Sequence, residues 1–466
     1  MYTIKISLTL ILSVALWGNT IAQTHHTHEE QTEESDTVKV RSIRELFTKG
    51  EVEGHIRNYF IATINHKELT DNYANAIGAK IGFRTAPYHG VRLGFAGLFT
   101  YNAFSSDLSE ADPIARRLPG TELELFDIED PTNGADLDRL DELYLEYKSE
   151  GLFAQAGRIS FTSPLINPQD TRMKPYAAQG IQVQVPIKEN NRLTLAWLDH
   201  FSPRSTVEWF TAGESIGIYG SGVDPQGEPS EYEHHTKTAG VAIAGLQAKP
   251  HPRVQTEIWN YFIENISNNL YGKALVEVAP QVSVGVEGLY QNQLGNGGNK
   301  EEGKRYFPDQ KQWLIGGRLA YEPKDWSFSL NYLHTGNEGR FLFPREWGRE
   351  QFFATLPRGR MEGTGNADLL ALRVVKRWSD QLSVEGAVAK AWMPSVDDHR
   401  FNKYGQPSYV GLITDIHYTP QKPVLDGLSF RLLYVGRFSD TSGLALEDMY
   451  YKTNFHQINL VTQITF

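Results

Sequence analysis

Hydrophobic and polar residues take turns along most of this chain with a period of two. Val91, Leu93, Phe95, Phe99 and Tyr101 alternate with Arg92, Gly94, Ala96 and Thr100. Trp326, Phe328, Leu330 and Tyr332 alternate with Ser327, Ser329 and Asn331, and Val282, Val284, Val286 and Tyr290 with Ser283, Gly285, Glu287 and Gln291. Leu428, Phe430, Leu432 and Tyr434 face Ser429, Arg431 and Arg437 in the same way. Successive side chains of a strand point to opposite faces, so each stretch predicts a strand with one apolar and one polar side. Counting such stretches predicts about eighteen strands.

The links between them alternate in length. Ala86 to Gly90, Glu150-Gly151, Lys188 to Asn191, Pro250 to Arg253, Ala279 to Gln281, Pro323 to Asp325 and Ser379 to Gln381 are short and carry the Pro, Gly, Asn or Asp that tight turns require. Between them lie mostly long segments: Ala103 to Asp138, Thr162 to Gln179, Ser202 to His235, Asn292 to Gln310 and Gly336 to Asn366, with Glu264 to Asn268 a short exception. Short turns at one end and long loops at the other are the layout of a transmembrane barrel, and a soluble propeller or sandwich gives no reason for it. In Asn454 to Phe466, Ile458, Leu460, Ile464 and Phe466 share one face while Asn459, Gln463 and Thr465 share the other. This alternating strand with its terminal aromatic resembles the C-terminal signal of bacterial outer-membrane barrels. Hydrocarbon leaves no backbone group unpaired, so such a sheet must close on itself. The fold class expected is all-β: a transmembrane antiparallel β-barrel of about 18 strands with short periplasmic turns, long outer loops and an inward-folded constriction loop.

Composition is most informative at the N-terminus. Lys5, the apolar run Ile6 to Leu16 and Thr20-Ile21-Ala22 read as a signal peptide over 1–22. Residues 23–50 read as a flexible periplasmic leader with His25, His26 and His28, ending in a candidate short helix at Ser42 to Lys49 that would plug the periplasmic mouth; 51–466 form the barrel. The run at 6–16 is too short to span a membrane. With Cys 0, disulfides and thiol chemistry are excluded. Tyr 22 and Phe 23 against Met 5 suit strands and interfacial girdles, with Trp313, Tyr321, Trp326 and Trp378 near strand ends. A net charge of -11 argues against a nucleic-acid partner.

A bore this wide leaks unless something narrows it. The segment from Ser163 to Gln179 is the candidate. Pro164, Pro168 and Pro175 stiffen it, and Asp170, Thr171, Arg172, Lys174 and Tyr176 supply polar chemistry. The alternative is an ordinary surface loop. Because an Arg or Lys facing lipid at midplane costs roughly 2–4 kcal/mol, the polar register must face the lumen. It carries Arg57, Lys80, Arg84, Arg92, Arg318, Arg373 and Arg431, and on the same reading Arg158, although its strand alternates poorly around Gln155. Guanidinium groups grip carboxylates through paired hydrogen bonds, so this ladder would hand anions along. Glu142, Glu146, Glu257, Glu277, Glu287 and Glu385 face inward too, and pairing within the wall is the competing use. Asp170 and Arg172 are expected opposite Arg57 and Arg431.

Gly54 to Phe60 resembles the first strand of the OprD family of outer-membrane porins. Pro164-Leu165, Asp170 to Pro175 and Gly180 to Val183 resemble that family's pore-constricting third loop and the strand after it. The resemblance implies a monomeric or loosely trimeric barrel in the bacterial cell outer membrane, in contact with lipid and lipopolysaccharide. It also implies substrate-specific uptake of small charged, carboxylate-bearing solutes. Thr171 and Ala177-Ala178 stand where the family has an often serine-rich arginine segment.

Other signals weigh less. Gly213 to Gly217 matches a nucleophile elbow but lies between strands, with no placed His or Asp. Gly298 to Lys304 has phosphate-loop spacing, with Arg305 where a magnesium-binding hydroxyl belongs. The acids Glu122, Glu124, Asp127, Glu129, Asp130, Asp136, Asp138 and Asp141 form a solvated loop or, less simply, a Ca²⁺ or Mg²⁺ site; His234-His235 is a weak metal signal. No cofactor, metal or enzymatic activity is expected. A general porin, an adhesion barrel and a barrel enzyme are the competing readings.

Overall fold

A computed structural model describes residues 40–466 apart from Asp170, Thr171 and Glu189. The signal peptide and leader residues 23–39 therefore lie outside the described residues, as do two of the residues expected in the constriction loop.

A short helix α1 (Ile43–Thr48) precedes the strands β1 (Glu51–Ile64), β2 (Asn72–Arg84), β3 (Val91–Ser105), β4 (Leu137–Ser149), β5 (Leu152–Ile159), β6 (Ala177–Lys188) and β7 (Asn191–Ser202). A two-residue strand β8 (Phe210–Thr211) is followed by β9 (Val241–His251), β10 (Val254–Ile263), β11 (Ser267–Ala279), β12 (Val282–Gln293), β13 (Lys311–Tyr321) and β14 (Trp326–Thr335). The chain ends with β15 (Ala367–Arg377), β16 (Leu382–Trp392), β17 (Tyr409–Tyr418), β18 (Leu428–Phe438) and β19 (Phe455–Thr465). Strands pair antiparallel with their sequence neighbours, β7 pairs directly with β9, and β8 is a spur on β7. The remaining eighteen strands close because β19 pairs with β1.

The closing seam sets Ile56 opposite Ile464 and Arg57 opposite Gln463. Beyond the last paired strand residue, Phe466 exchanges both backbone hydrogen bonds with Gly54, at 2.9 Å each. Gly54 is required there, since a Cβ would sit 2.4 Å from the Lys80 carbonyl oxygen. Alternation holds around the ring: Ile458, Leu460 and Ile464 lie on the exposed outer face, Gln457, Asn459 and Gln463 on the buried inner one. Among the described residues the eighteen-stranded ring has no free edge, which is the condition for a sheet in hydrocarbon.

Helix α1 sits elsewhere than expected. Ser42 caps it, accepting from Glu45 N at 3.3 Å. Phe47 stacks on Phe83 at 6.1 Å, and Phe83 lies on the outward face beside Phe95. The helix thus leans on the outside of the barrel at the short-turn end and plugs nothing.

The long-loop end fills the bore. Leu165, Ile166, Phe341, Leu342, Phe343, Trp347 and Phe352 are buried in one cluster with wall residues such as Tyr261 and Tyr271, and Leu123, Leu125 and Phe126 in another with Tyr59, Ile61 and Met173. Irregular backbone inside a barrel must find its hydrogen bonds there. The polar inner wall supplies them: Gln291 bonds both Leu342 N (3.2 Å) and Leu342 O (2.7 Å), and Glu287 accepts from Phe353 N at 2.7 Å.

Candidate functional site

Two loops cross the bore and meet. The segment joining β5 to β6 starts at the β10 wall, where Tyr261 Oη lies 3.0 Å from Ser163 Oγ and accepts from Leu165 N at 3.3 Å. It reaches the opposite side at β1, where Arg57 Nη1 donates to the Arg172 carbonyl oxygen at 2.6 Å. This is a constriction and not a surface loop: Arg172 is 1% exposed and Lys174 0%. Lys174 Nζ donates to the Phe126 carbonyl oxygen. Burial, with Arg139 nearby, pushes its amine down to about 7. Pro164 O accepts from Gln351 N at 3.2 Å.

The second loop is the one between β14 and β15. The long link at 336–366 predicts an outer loop, yet it folds down against the first. Asn167 Nδ2 donates to Arg349 O at 2.8 Å. Arg358 reaches the closing seam, donating to Gln457 Oε1 (2.8 Å), Asn459 Oδ1 (2.7 Å) and Tyr59 Oη (3.1 Å). The loops are joined at Tyr176, whose Oη accepts from Arg204 Nη1 at 2.9 Å and from Arg360 Nη2 at 2.8 Å.

Around that junction Arg57, Arg172, Arg204, Arg349, Arg358 and Arg360 gather against Glu124 and Glu350. Glu124 accepts from Arg172 at 3.0 Å and from Arg204, while Glu350 lies 3.5 Å from Arg360. Burial above all, and then the neighbouring Arg360, pull the Arg349 guanidinium down to about 10. A chain of net charge -11 thus concentrates cations where these loops meet inside the barrel. Beside the junction, Leu356, Arg360, Leu369, Tyr409, Val435 and Arg437 line a small recess, and Arg437 stacks over Tyr409 at 4.3 Å. The recess has an apolar wall and two guanidinium donors.

The ladder expected on the wall has a different use. Lys80 holds Asp141 (2.7 Å) and Glu142 (2.6 Å), Arg84 holds Glu53 (2.8 Å), Arg373 holds Glu385 (2.7 Å) and Arg431 holds Asp415 (2.7 Å). Arg431 therefore does not face the constriction loop as a free charge. Arg318 lies inward with Glu322 at 3.6 Å, and Arg92 sits opposite Glu146. Arg158 leaves the ladder altogether. It pairs with the outward Leu143, donates to Leu140 O at 3.1 Å and stacks over Trp209 at 4.5 Å.

The acidic loop also divides. Asp141 belongs to β4, where the register shifts opposite Ala96 and Gly97 and a bulge turns both Asp141 and Glu142 inward. Glu122 is buried, accepting from Thr63 Oγ1 and Tyr451 Oη. Among the described residues no group of His, Asp and Glu forms a metal ligand set. Ser215 of the elbow-like motif donates to Ala212 O at 2.8 Å and accepts from Trp347 Nε1 at 2.8 Å, which gives it a packing role. A sequence signal for the second loop existed: Arg345, Arg349, Arg358 and Arg360 interleave with Phe341, Phe343, Phe352 and Phe353, a density of aromatics that a solvated loop does not carry.

No protein-family model and no curated protein matches this chain. Solved structures do. OccD3 (OpdP) of Pseudomonas aeruginosa superposes with a TM-score of 0.67 at 13% identity over 91% of this chain and 92% of its own. OccAB4 of Acinetobacter baumannii gives 0.67 at 14% identity, covering 90% and 98%. OpdK of Pseudomonas aeruginosa, solved with vanillate, gives 0.67 at 15% identity, covering 90% and 99%. The chain thus has the fold of these channels, the closed eighteen-stranded outer-membrane barrel that its first strand and Pro164 to Pro175 segment resemble.

Proposed function

We propose that this protein is a channel of the bacterial outer membrane that passes small carboxylate-bearing solutes into the periplasm down their gradient. The observation that carries the reading is the junction at Tyr176, where Arg204 and Arg360 aim at one neutral phenol oxygen. Two convergent guanidinium groups in a low-dielectric passage bind a carboxylate more strongly than a phenol, because the acceptor then carries charge as well as the donor and can take two parallel hydrogen bonds. Vanillate, with which OpdK was solved, is a carboxylate. Wall pairs such as Arg373–Glu385 and Arg431–Asp415 stiffen the cylinder and leave selection to the loops.

The test is planar-bilayer conductance with reversal potentials under a salt gradient. Wild type should conduct and prefer anions, and Arg204→Gln with Arg360→Gln should lose that preference. Cation preference in the wild type, or a preference unaltered by the double change, would sink the reading.

A second reading has one observation in its favour. Phe341, Phe343, Trp347 and Phe352 pack into the bore, as a plug would. A barrel that serves as an adhesion surface would show no conductance in the same measurement.

A further inference from the structure

We infer that helix α1 is a membrane-surface anchor, its apolar edge immersed beside the barrel and its basic residues set against anionic phospholipid headgroups. This rests on the membrane reading above and adds a second contact outside the bore.

Ile43 and Phe47 stand four residues apart and so share one stripe of the helix. Ile43 is 78% exposed and Phe47 49%, although the helix is tied to the barrel. Two contacts fix its place: Ala86 N donates to Leu46 O at 2.9 Å, and the Phe47 ring lies parallel to Phe83, at 4°. Phe83 faces outward, opposite Val52 on β1 and Phe95 on β3, both exposed. The stripe of α1 therefore continues the apolar outer skin across the rim at the short-turn end, and that continuity names lipid as what covers it. Arg41, Arg44 and Lys49 are exposed on the same segment; Glu45 is engaged by Lys49 Nζ at 2.9 Å and Arg41 N at 3.0 Å, and Glu51 and Glu53 just beyond it are held by Arg84. A basic, apolar-edged helix at an interface is drawn to phosphate headgroups.

The chain has no cysteine, so single-site spin labels report cleanly. The full barrel is refolded into vesicles of phosphatidylethanolamine and phosphatidylglycerol with a nitroxide at Ile43→Cys, at Ile81→Cys on the outer wall, or at Gly151→Cys in a short turn. Collision with oxygen and with an aqueous nickel chelate is then compared. The inference expects the Ile43 label to be oxygen-accessible and nickel-protected like the Ile81 label, and to move toward the aqueous profile with Arg41→Gln and Arg44→Gln. It is overturned by an Ile43 profile equal to that of Gly151, by shielding from both colliders (cover by protein), or by indifference to the two arginine changes. An Ile81 label that itself proves aqueous overturns the membrane reading instead, so the two failures are distinct.

Discussion

Arg57 Nη1 donates to the backbone carbonyl oxygen of Arg172 at 2.6 Å, so the first strand grips the constriction loop by its main chain. The same guanidinium donates through Nε to Gln463 Oε1 at 2.8 Å across the closing seam. One buried side chain thus couples barrel closure to loop position. Arg57→Met is expected to cost about 2–3 kcal/mol, the range for a hydrogen bond to a charged group. Urea unfolding in detergent micelles checks the cost, and single-channel records should show larger conductance with more flicker. Unchanged conductance on neutralising Arg57 and Arg172 together would remove both from the constriction.

Tyr176 separates two explanations of the arginine cluster. If its phenol oxygen holds the place of a solute carboxylate, Tyr176→Phe leaves Arg204 and Arg360 without that acceptor and should strengthen anion block. A gain of roughly 1–2 kcal/mol is expected, the scale of one hydrogen bond. Benzoate block of single-channel current measures it. Weaker block would mean that the hydroxyl itself binds the solute.

Lys174 makes the loop pH-sensitive. Its amine is pushed down to about 7 by burial and by Arg139, while the unfolded chain keeps the ordinary value of about 10.5. Between those values the unfolded chain binds the extra proton, so native stability rises with pH, by at most roughly 1.4 kcal/mol per unit. Below about 7 the amine is charged in both states and that gain is absent. Current noise is expected to fall from pH 6 toward pH 9 in roughly that window, and Lys174→Met to abolish the change. Noise independent of pH in the wild type would show that the amine does not titrate there.

Lys403 clasps the outer loops together. Its Nζ lies over Tyr232 (4.7 Å), Tyr404 (5.0 Å) and Tyr306 (5.3 Å) and 3.3 Å from Glu362 in the second constriction loop. Removing one member of a buried pair typically costs about 3–5 kcal/mol. Lys403→Met should therefore release the loop between β14 and β15 while the barrel stays folded. Limited proteolysis of the folded protein is expected to cut there many times faster, with heat-resistant barrel mobility on gels unaltered.

Most strands, their inward and outward faces, and the two kinds of connection were legible because each rests on local alternation. Leu93, Phe95 and Phe99 need lipid regardless of what lies across the bore. The first constriction loop was legible too, through Pro164, Pro168 and Pro175. The second loop was not, because its burial depends on partners far along the chain: Asn167 for Arg349, Gln291 for Leu342, Asn459 for Arg358.

A closed cylinder with an apolar skin and a polar bore was already implied by the residues in order, since a period of two and a ban on unpaired backbone in hydrocarbon admit no other arrangement. Only the tertiary structure decided which cations are spent on the wall. Lys80 finds Asp141 because a bulge in β4 turns that carboxylate inward, and Arg431 finds Asp415 across a strand pair. Arg158 goes outward because it pairs with Leu143. Charge pairing is settled by distance in space, and distance in space is what alternation along a chain does not contain.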